Sequence, residues 1–223
     1  MNTLHMLTVT SLLALAGCTS ANNDASHPAA TPATAQGKAQ PTLADADALQ
    51  PADEFLMRIA KHCGQAYEGR IVANEPKPSE PDAFEGKPLV MHVRGCDNPR
   101  ERLEIPFHVG DDHSRTWILS RLPNGLRLKH DHRHEDGSAD EMTMYGGDSR
   151  EAGSTERQAF PVDDESIAMF KKGGLNASVE NTWAMEIHPH AFVYELSRPN
   201  GRMFKVEFDL SRPVQTPPTP WGW

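Results

Sequence analysis

The 223-residue sequence has little of what several protein classes require. It carries 22 Lys and Arg against 31 Asp and Glu, a formal net charge of -9, so it lacks the basic face that broad nucleic-acid binding needs. Beyond its N-terminus it has no long apolar run, which excludes a polytopic helical membrane protein. Neither the repeat of a collagen nor the heptads of a coiled coil are present. Its 16 Gly and 18 Pro are too many for a helical bundle.

The sequence also lacks the usual signatures of catalysis. It has no Gly-x-Ser-x-Gly nucleophile turn, no phosphate-binding loop, no βαβ pattern and no internal repeat. Residues 146–149 superficially resemble a nucleophile site, but residues 145–148 are interpreted as a turn between strands. The sequence therefore assigns no reaction to the protein.

The N-terminal residues have the features of an export signal. An apolar run at 5–17, shorter than a bilayer-spanning helix, ends in Leu15-Ala16-Gly17-Cys18. Small residues before a cysteine resemble the lipobox of bacterial lipoproteins. This resemblance implies that residues 1–17 are removed as a signal peptide and that Cys18 is acylated. Because no Asp follows the cysteine, the motif also resembles the outer-membrane sorting pattern. We therefore expect a protein anchored in the outer-membrane bilayer by Cys18 and facing the periplasm.

Composition divides the remaining chain into three parts. Residues 18–50 are rich in Ala, Thr and Pro, which predicts a disordered tether. Residues 51–212 are predicted to form one folded domain, and residues 213–223 an extended tail rich in Pro and Trp. The folded part contains Cys63 and Cys96, and export to an oxidising compartment predicts a disulfide between them.

Alternating apolar and polar residues predict a mainly β domain with about eight to ten strands. Asn124-Gly125 is a strong hairpin signal between two of them. Helical spacing is found at 53–62, with Asp53 as a predicted N-cap, and at 163–172. Strands in hairpin order with two short helices favour a closed antiparallel barrel or sandwich, and we expect the barrel.

This order of elements resembles the layout of the lipocalin and calycin group. The resemblance implies an antiparallel barrel with an internal ligand site, although the Gly-x-Trp signature of lipocalins is missing. The segment LKHDHRHEDGS, followed by MYGGD, is also similar to segments of uncharacterised exported proteins of Gram-negative bacteria. That second resemblance implies no activity.

Three histidines form the most informative pattern in the sequence. His130, His132 and His134 alternate along a predicted strand and continue the face of two leucines, so they are expected to point inward. The charged residues that alternate with this row are expected to face water; these are Arg127, Lys129, Asp131, Arg133 and Glu135. Two such imidazoles can converge on one ion at about 2.0–2.1 Å. With His190 from a later turn as a further ligand, the set predicts a site for Zn, Cu, Ni or Fe.

Aromatic residues predict a second kind of site. Trp117, Trp183 and Tyr194 are expected to line a cavity in the barrel, with His130 and His132 orienting the polar end of a ligand. The sequence thus favours a lipoprotein that binds a small or apolar molecule. Two alternatives stay open: a metal-dependent, cupin-like enzyme, and an envelope interaction module without a pocket. The cupin resemblance is partial, and it is carried by Gly125, His132, His134, Glu141 and Gly147.

Overall fold

The computed structural model describes residues 50–78 and 82–223. The predicted signal peptide, the acylated Cys18 and almost all of the predicted tether lie outside these residues, so they stay predictions. In the described ranges, no helix combines the length and apolarity needed to cross a lipid bilayer.

Ten antiparallel strands form a single sheet in the part of the chain that is described. The elements in chain order are α1 (Pro51–Ala60), β1 (Ala66–Glu75), β2 (Leu89–His92), β3 (Arg102–Val109), β4 (Asp112–Leu122), β5 (Gly125–His132), β6 (Tyr145–Asp148), β7 (Arg157–Pro161), α2 (Asp164–Lys172), a short 3-10 helix (Asn176–Glu180), β8 (Thr182–Ile187), β9 (Ala191–Ser197) and β10 (Met203–Val214). The strand order is β6-β5-β4-β3-β2-β1-β10-β9-β8-β7. The predicted mainly β fold, with an antiparallel barrel of about eight to ten strands and two short helices, is therefore confirmed.

The barrel is nearly closed because its two outermost strands, β6 and β7, meet at a seam. The backbone N–H of Asp163, just after β7, donates to the carbonyl oxygen of Gly146 in β6 at 3.0 Å. A Cβ atom on Gly147 would overlap the carbonyl oxygen of Pro161, so only glycine fits this close approach. The interpretation of residues 145–148 as a turn is wrong, since they form β6. Their glycines serve the contact between distant strands, which local sequence does not reveal.

The barrel interior is filled by the inward face of each strand. In β3, for example, Leu103, Ile105, Phe107 and Val109 are all buried, as the alternating pattern predicts. Aromatic rings stack across the interior; the ring centroids of Phe107 and Trp117 lie 4.8 Å apart.

One end of the barrel is covered by α1, and we call it the closed end. The apolar stripe of α1 is fully buried in the core through Phe55, Leu56 and Ile59. Asp53 is not the N-cap, which is Gln50. Instead, the Asp53 carboxylate accepts hydrogen bonds from the Arg121 guanidinium at 2.6 and 3.1 Å, beside the β4–β5 hairpin. The first helix is therefore held by side chains of the barrel rather than by a cap of its own.

The predicted disulfide is present between Cys63 and Cys96. It links residues 33 apart in sequence and joins the segment after α1 to the β2–β3 loop. Both partners lie at the closed end. The bridge thus fixes the helix that covers this end to the sheet beneath it.

The C-terminal residues pack back on the outside of the barrel. Strand β10 continues to Val214, two residues beyond the predicted domain boundary. The backbone N–H of Trp221 then donates to the carbonyl oxygen of His113 at 3.0 Å. The indole Nε1 of Trp223 donates to Asp131 at 3.0 Å. The tail therefore covers part of the outer face of β4 and β5.

Candidate functional site

The end of the barrel opposite α1 contains a cavity of about 340 Å³, and we call this the open end. Its apolar lining residues are Phe84, Met142, Phe170, Leu175, Trp183, Leu196 and Phe204. Its polar lining residues are His132, Asp140, Tyr145, Ser178, Asn181, Tyr194, Arg198 and Arg202. The polar residues are slightly more numerous, but most of the lining area is apolar. An apolar surface with placed polar groups is typical of small-molecule sites, and the volume lies at the small end of their range.

The strand order explains why these residues meet. The end of β5 and the start of β6 lie at the open end, and so do the start of β8, the end of β9 and the start of β10. Helix α2 and the 3-10 helix add Phe170 and Ser178 to the wall. Larger grooves lie on the outer surface, but they have a different character; one of about 730 Å³ is lined mainly by charged side chains such as Arg70 and Glu207. The open-end cavity is therefore the candidate site.

Two of the three aromatic residues predicted to line a cavity do so. Trp183 and Tyr194 both contribute to the lining. Trp117 is buried one layer deeper and stacks on Tyr194, with ring centroids 4.5 Å apart. Trp117 thus supports the wall instead of forming its surface.

The inward orientation predicted for the histidine strand holds for His130, which is fully enclosed. Its Nδ1 lies 3.2 Å from the carbonyl oxygen of Tyr145, and its Nε2 lies 2.9 Å from the hydroxyl of Tyr194. Because a carbonyl can only accept, the proton is on Nδ1, and Nε2 accepts from Tyr194. Burial, together with the neighbouring charges, lowers the pKa of His130 to about 3. This imidazole is therefore neutral and fully bonded.

His132 follows at the border of the cavity. The hydroxyl of Tyr145 is hydrogen-bonded to its Nε2 at 3.0 Å. Burial, with a smaller effect of the Arg115 charge, lowers the pKa of His132 to about 4. Burial also raises the pKa of Tyr145 to about 12. The two histidines and two tyrosines form a neutral hydrogen-bonded group that lies between the barrel core and the cavity.

The other two predicted metal ligands lie elsewhere. His134 is exposed beyond the end of β5, and His190 is exposed in the β8–β9 turn at the closed end. Among the described side chains, no group of three or more His, Cys, Asp or Glu could hold a metal ion. The structure thus brings His130 and His132 together but places His134 and His190 apart from them. The transition-metal site stays a prediction.

The expectation that the charged residues on the other face of this strand meet water is wrong for Lys129 and Asp131, which are both buried. The Lys129 ammonium pairs with Asp163 at 2.8 Å, and Asp131 accepts from the hydroxyl of Thr143 at 3.0 Å as well as from the indole of Trp223. The start of α2 and the C-terminal tail cover this outer face. Both covering segments are distant from β5 in sequence, so the alternation within β5 does not predict that its outer face is buried.

Sequence reasoning missed two arginines in the cavity wall. Arg198 and Arg202 flank the turn between β9 and β10, which the sequence showed only as a turn signal. Arg198 donates to the amide oxygen of Asn181 at 2.6 Å, and Arg202 donates to that of Asn74 at 2.7 Å. The available signal was two arginines in the segment Arg-Pro-Asn-Gly-Arg, which has no acidic residue.

The arrangement suits binding better than proton transfer. His132 is the histidine that borders the cavity, but its Nε2 is already hydrogen-bonded to Tyr145, and its lowered pKa makes it a weak base at neutral pH. The apolar wall and the arginines can instead hold a molecule with a polar end. Comparison of the chain with protein-family models, with curated proteins and with solved structures finds no match.

Proposed function

We propose that this protein is an envelope lipoprotein whose barrel binds a small apolar or amphipathic molecule in the open-end cavity. The observation that carries the proposal is the cavity itself: aromatic and aliphatic side chains from four strands, from helix α2 and from connecting segments converge on one space of about 340 Å³. The lipobox-like motif at Cys18 supports the envelope location.

Burial of apolar surface would supply most of the binding free energy, at about 25 cal/mol per Å² removed from water. The rim of the cavity exposes apolar surface to solvent. Leu175 leaves 44% of its area in solvent although it belongs to the cavity lining. A ligand in the cavity would cover this side chain and the faces of Trp183 and Phe204.

The histidines would act on the polar end of the ligand. Both ring nitrogens of His130 are bonded within the protein, so His132 is the one of the two placed to meet a ligand. A transition metal at His132, with the Asp140 carboxylate in the same lining, stays a separate prediction.

Binding can be tested on the full chain with the neutral fluorescent probe N-phenyl-1-naphthylamine. We expect saturable binding to the wild type and at least tenfold weaker binding to Leu175→Asp, because the substitution places a charge at the apolar rim. Val72→Asp is the matched control, since Val72 is similarly exposed, at 42%, but lies outside the cavity lining.

Circular dichroism would establish that both variants fold. Probe binding that is absent in the wild type, or equally weakened in the two variants, would contradict the proposal.

A further inference from the structure

The two cavity arginines differ from most other arginines in the described part of the chain. Nine arginines pair with a carboxylate within 4.0 Å; these are Arg58, Arg70, Arg102, Arg115, Arg121, Arg127, Arg133, Arg157 and Arg212. Arg198 and Arg202 have neutral partners instead. Both line the cavity, and neither has a carboxylate partner among the described residues.

Neutral partners hold each guanidinium in place without cancelling its charge. Besides Asn181, Arg198 contacts the hydroxyl of Ser178 at 3.5 Å. Besides Asn74, Arg202 donates to the backbone carbonyl oxygens of Glu75 and Met203, both at 3.4 Å. A guanidinium has five N–H donors, so each arginine keeps donors free for another acceptor. The pair is thus oriented but not neutralised.

Among the described residues, no carboxylate lies within 4.0 Å of either guanidinium. The Asp82 carboxylate accepts from the amide of Asn74 at 2.6 Å, so it reaches Arg202 only through that side chain. Burial and the nearby Arg202 charge lower the pKa of Arg198, and the charge of Glu180 opposes this only in part. Asp140 is the carboxylate in the described lining, and its Oδ1 accepts from the backbone N–H of Met142 at 2.7 Å, on the β5–β6 connection. Two partly buried cations beside an apolar cavity are a place where a bound anion would be stabilised.

We propose that Arg198 and Arg202 together bind the anionic head group of a single-chain amphiphile, such as the carboxylate of a medium-chain organic acid, while its apolar chain lies against Trp183 and Phe204. This inference rests on the proposed function and names its ligand class. The guanidinium forks match a planar carboxylate, and the small volume admits one chain rather than two.

The test is displacement of N-phenyl-1-naphthylamine from the full chain by decanoate, decyl phosphate, decan-1-ol or decylamine. At low ionic strength we expect decanoate to bind at least tenfold more tightly than decan-1-ol, and decylamine to bind most weakly. The decyl phosphate arm tells whether a phosphate head group is accepted as well as a carboxylate. Added salt should weaken the binding of the anions but not of the alcohol.

The double variant Arg198→Gln/Arg202→Gln should lose at least tenfold in decanoate affinity and keep its affinity for decan-1-ol. Arg70→Gln/Arg212→Gln is the matched control, because it removes the same charge from the outer surface. Equal affinities for decanoate and decan-1-ol, or an unchanged decanoate affinity in the cavity variant, would overturn the anion assignment alone. Failure of the neutral probe and of every decyl compound to bind would overturn the proposed function as well.

Discussion

The two ends of the barrel differ in how completely their apolar side chains are packed. At the closed end, α1 buries Phe55, Leu56 and Ile59 completely, and a disulfide and the Asp53–Arg121 ion pair hold the helix in place. At the open end, apolar side chains line unfilled space, and two arginines lack carboxylate partners among the residues described. A barrel can therefore concentrate its stabilising contacts at one end and leave the other end incompletely packed for binding.

Truncation of one phenylalanine at each end tests whether the two ends differ in packing. Phe55→Ala, at the closed end, should cost about 3–5 kcal/mol in the free energy of unfolding, because it leaves a cavity in a fully packed core. Phe84→Ala, at the open end, should cost clearly less, because Phe84 is half-buried, but it should weaken probe binding.

Urea denaturation of both variants and a probe titration provide the measurements. Equal destabilisation by the two substitutions would mean that the two ends share the stabilising contacts.

Removal of the disulfide should have the next largest effect. The double variant Cys63→Ala/Cys96→Ala should lose about 2–4 kcal/mol of stability, because its unfolded chain regains the freedom of the closed loop. Since the bridge lies at the closed end, the affinity for N-phenyl-1-naphthylamine should stay within twofold of the wild type. A large fall in affinity would show that the ends are coupled.

The smallest effect, over the range of pH 6.5 to 5, is a pH dependence of the free energy of unfolding that arises at the buried His130. Its pKa is about 3 in the folded protein and about 6.5 when unfolded, so the unfolded state binds the extra proton first. This stabilisation is complete above pH 6.5 and is lost as the pH falls toward 3, by up to about 1.4 kcal/mol per pH unit.

We therefore expect the stability of His130→Gln to fall less steeply between pH 6.5 and 5 than that of the wild type, as measured by urea denaturation at each pH. His108 and His132, whose pKa values are also lowered, titrate in both proteins. Parallel slopes would contradict the assigned burial of the His130 proton site.

Local sequence patterns predicted most elements of the fold. Alternation predicted the long strands, Asn124-Gly125 predicted the β4–β5 hairpin, and helical spacing predicted α2. The N-cap of α2 is Asp163, which the helical spacing at 163–172 placed inside the helix. The alternation of apolar and polar residues did not predict β6, because Gly146 and Gly147 have no side chains that could alternate. These glycines are required by a contact with a strand that is distant in sequence.

The candidate site was only partly visible in the sequence. Trp183, Tyr194 and His132 could be named from residue type and face, and all three line the cavity. Arg198 and Arg202 could not, because an arginine near a turn is ordinarily a solvated side chain. They matter because no carboxylate among the described residues pairs with them. That absence can be seen only in the folded structure.

The position of α1 has a practical consequence for measurement. The helix begins at Pro51 beside the β4–β5 hairpin, so the chain enters the barrel at the pole farthest from the cavity mouth. A biosensor surface coupled through residues upstream of Gln50 would therefore present the mouth to the flowing solution. Coupling through surface groups near the β9–β10 turn would instead obstruct the entrance.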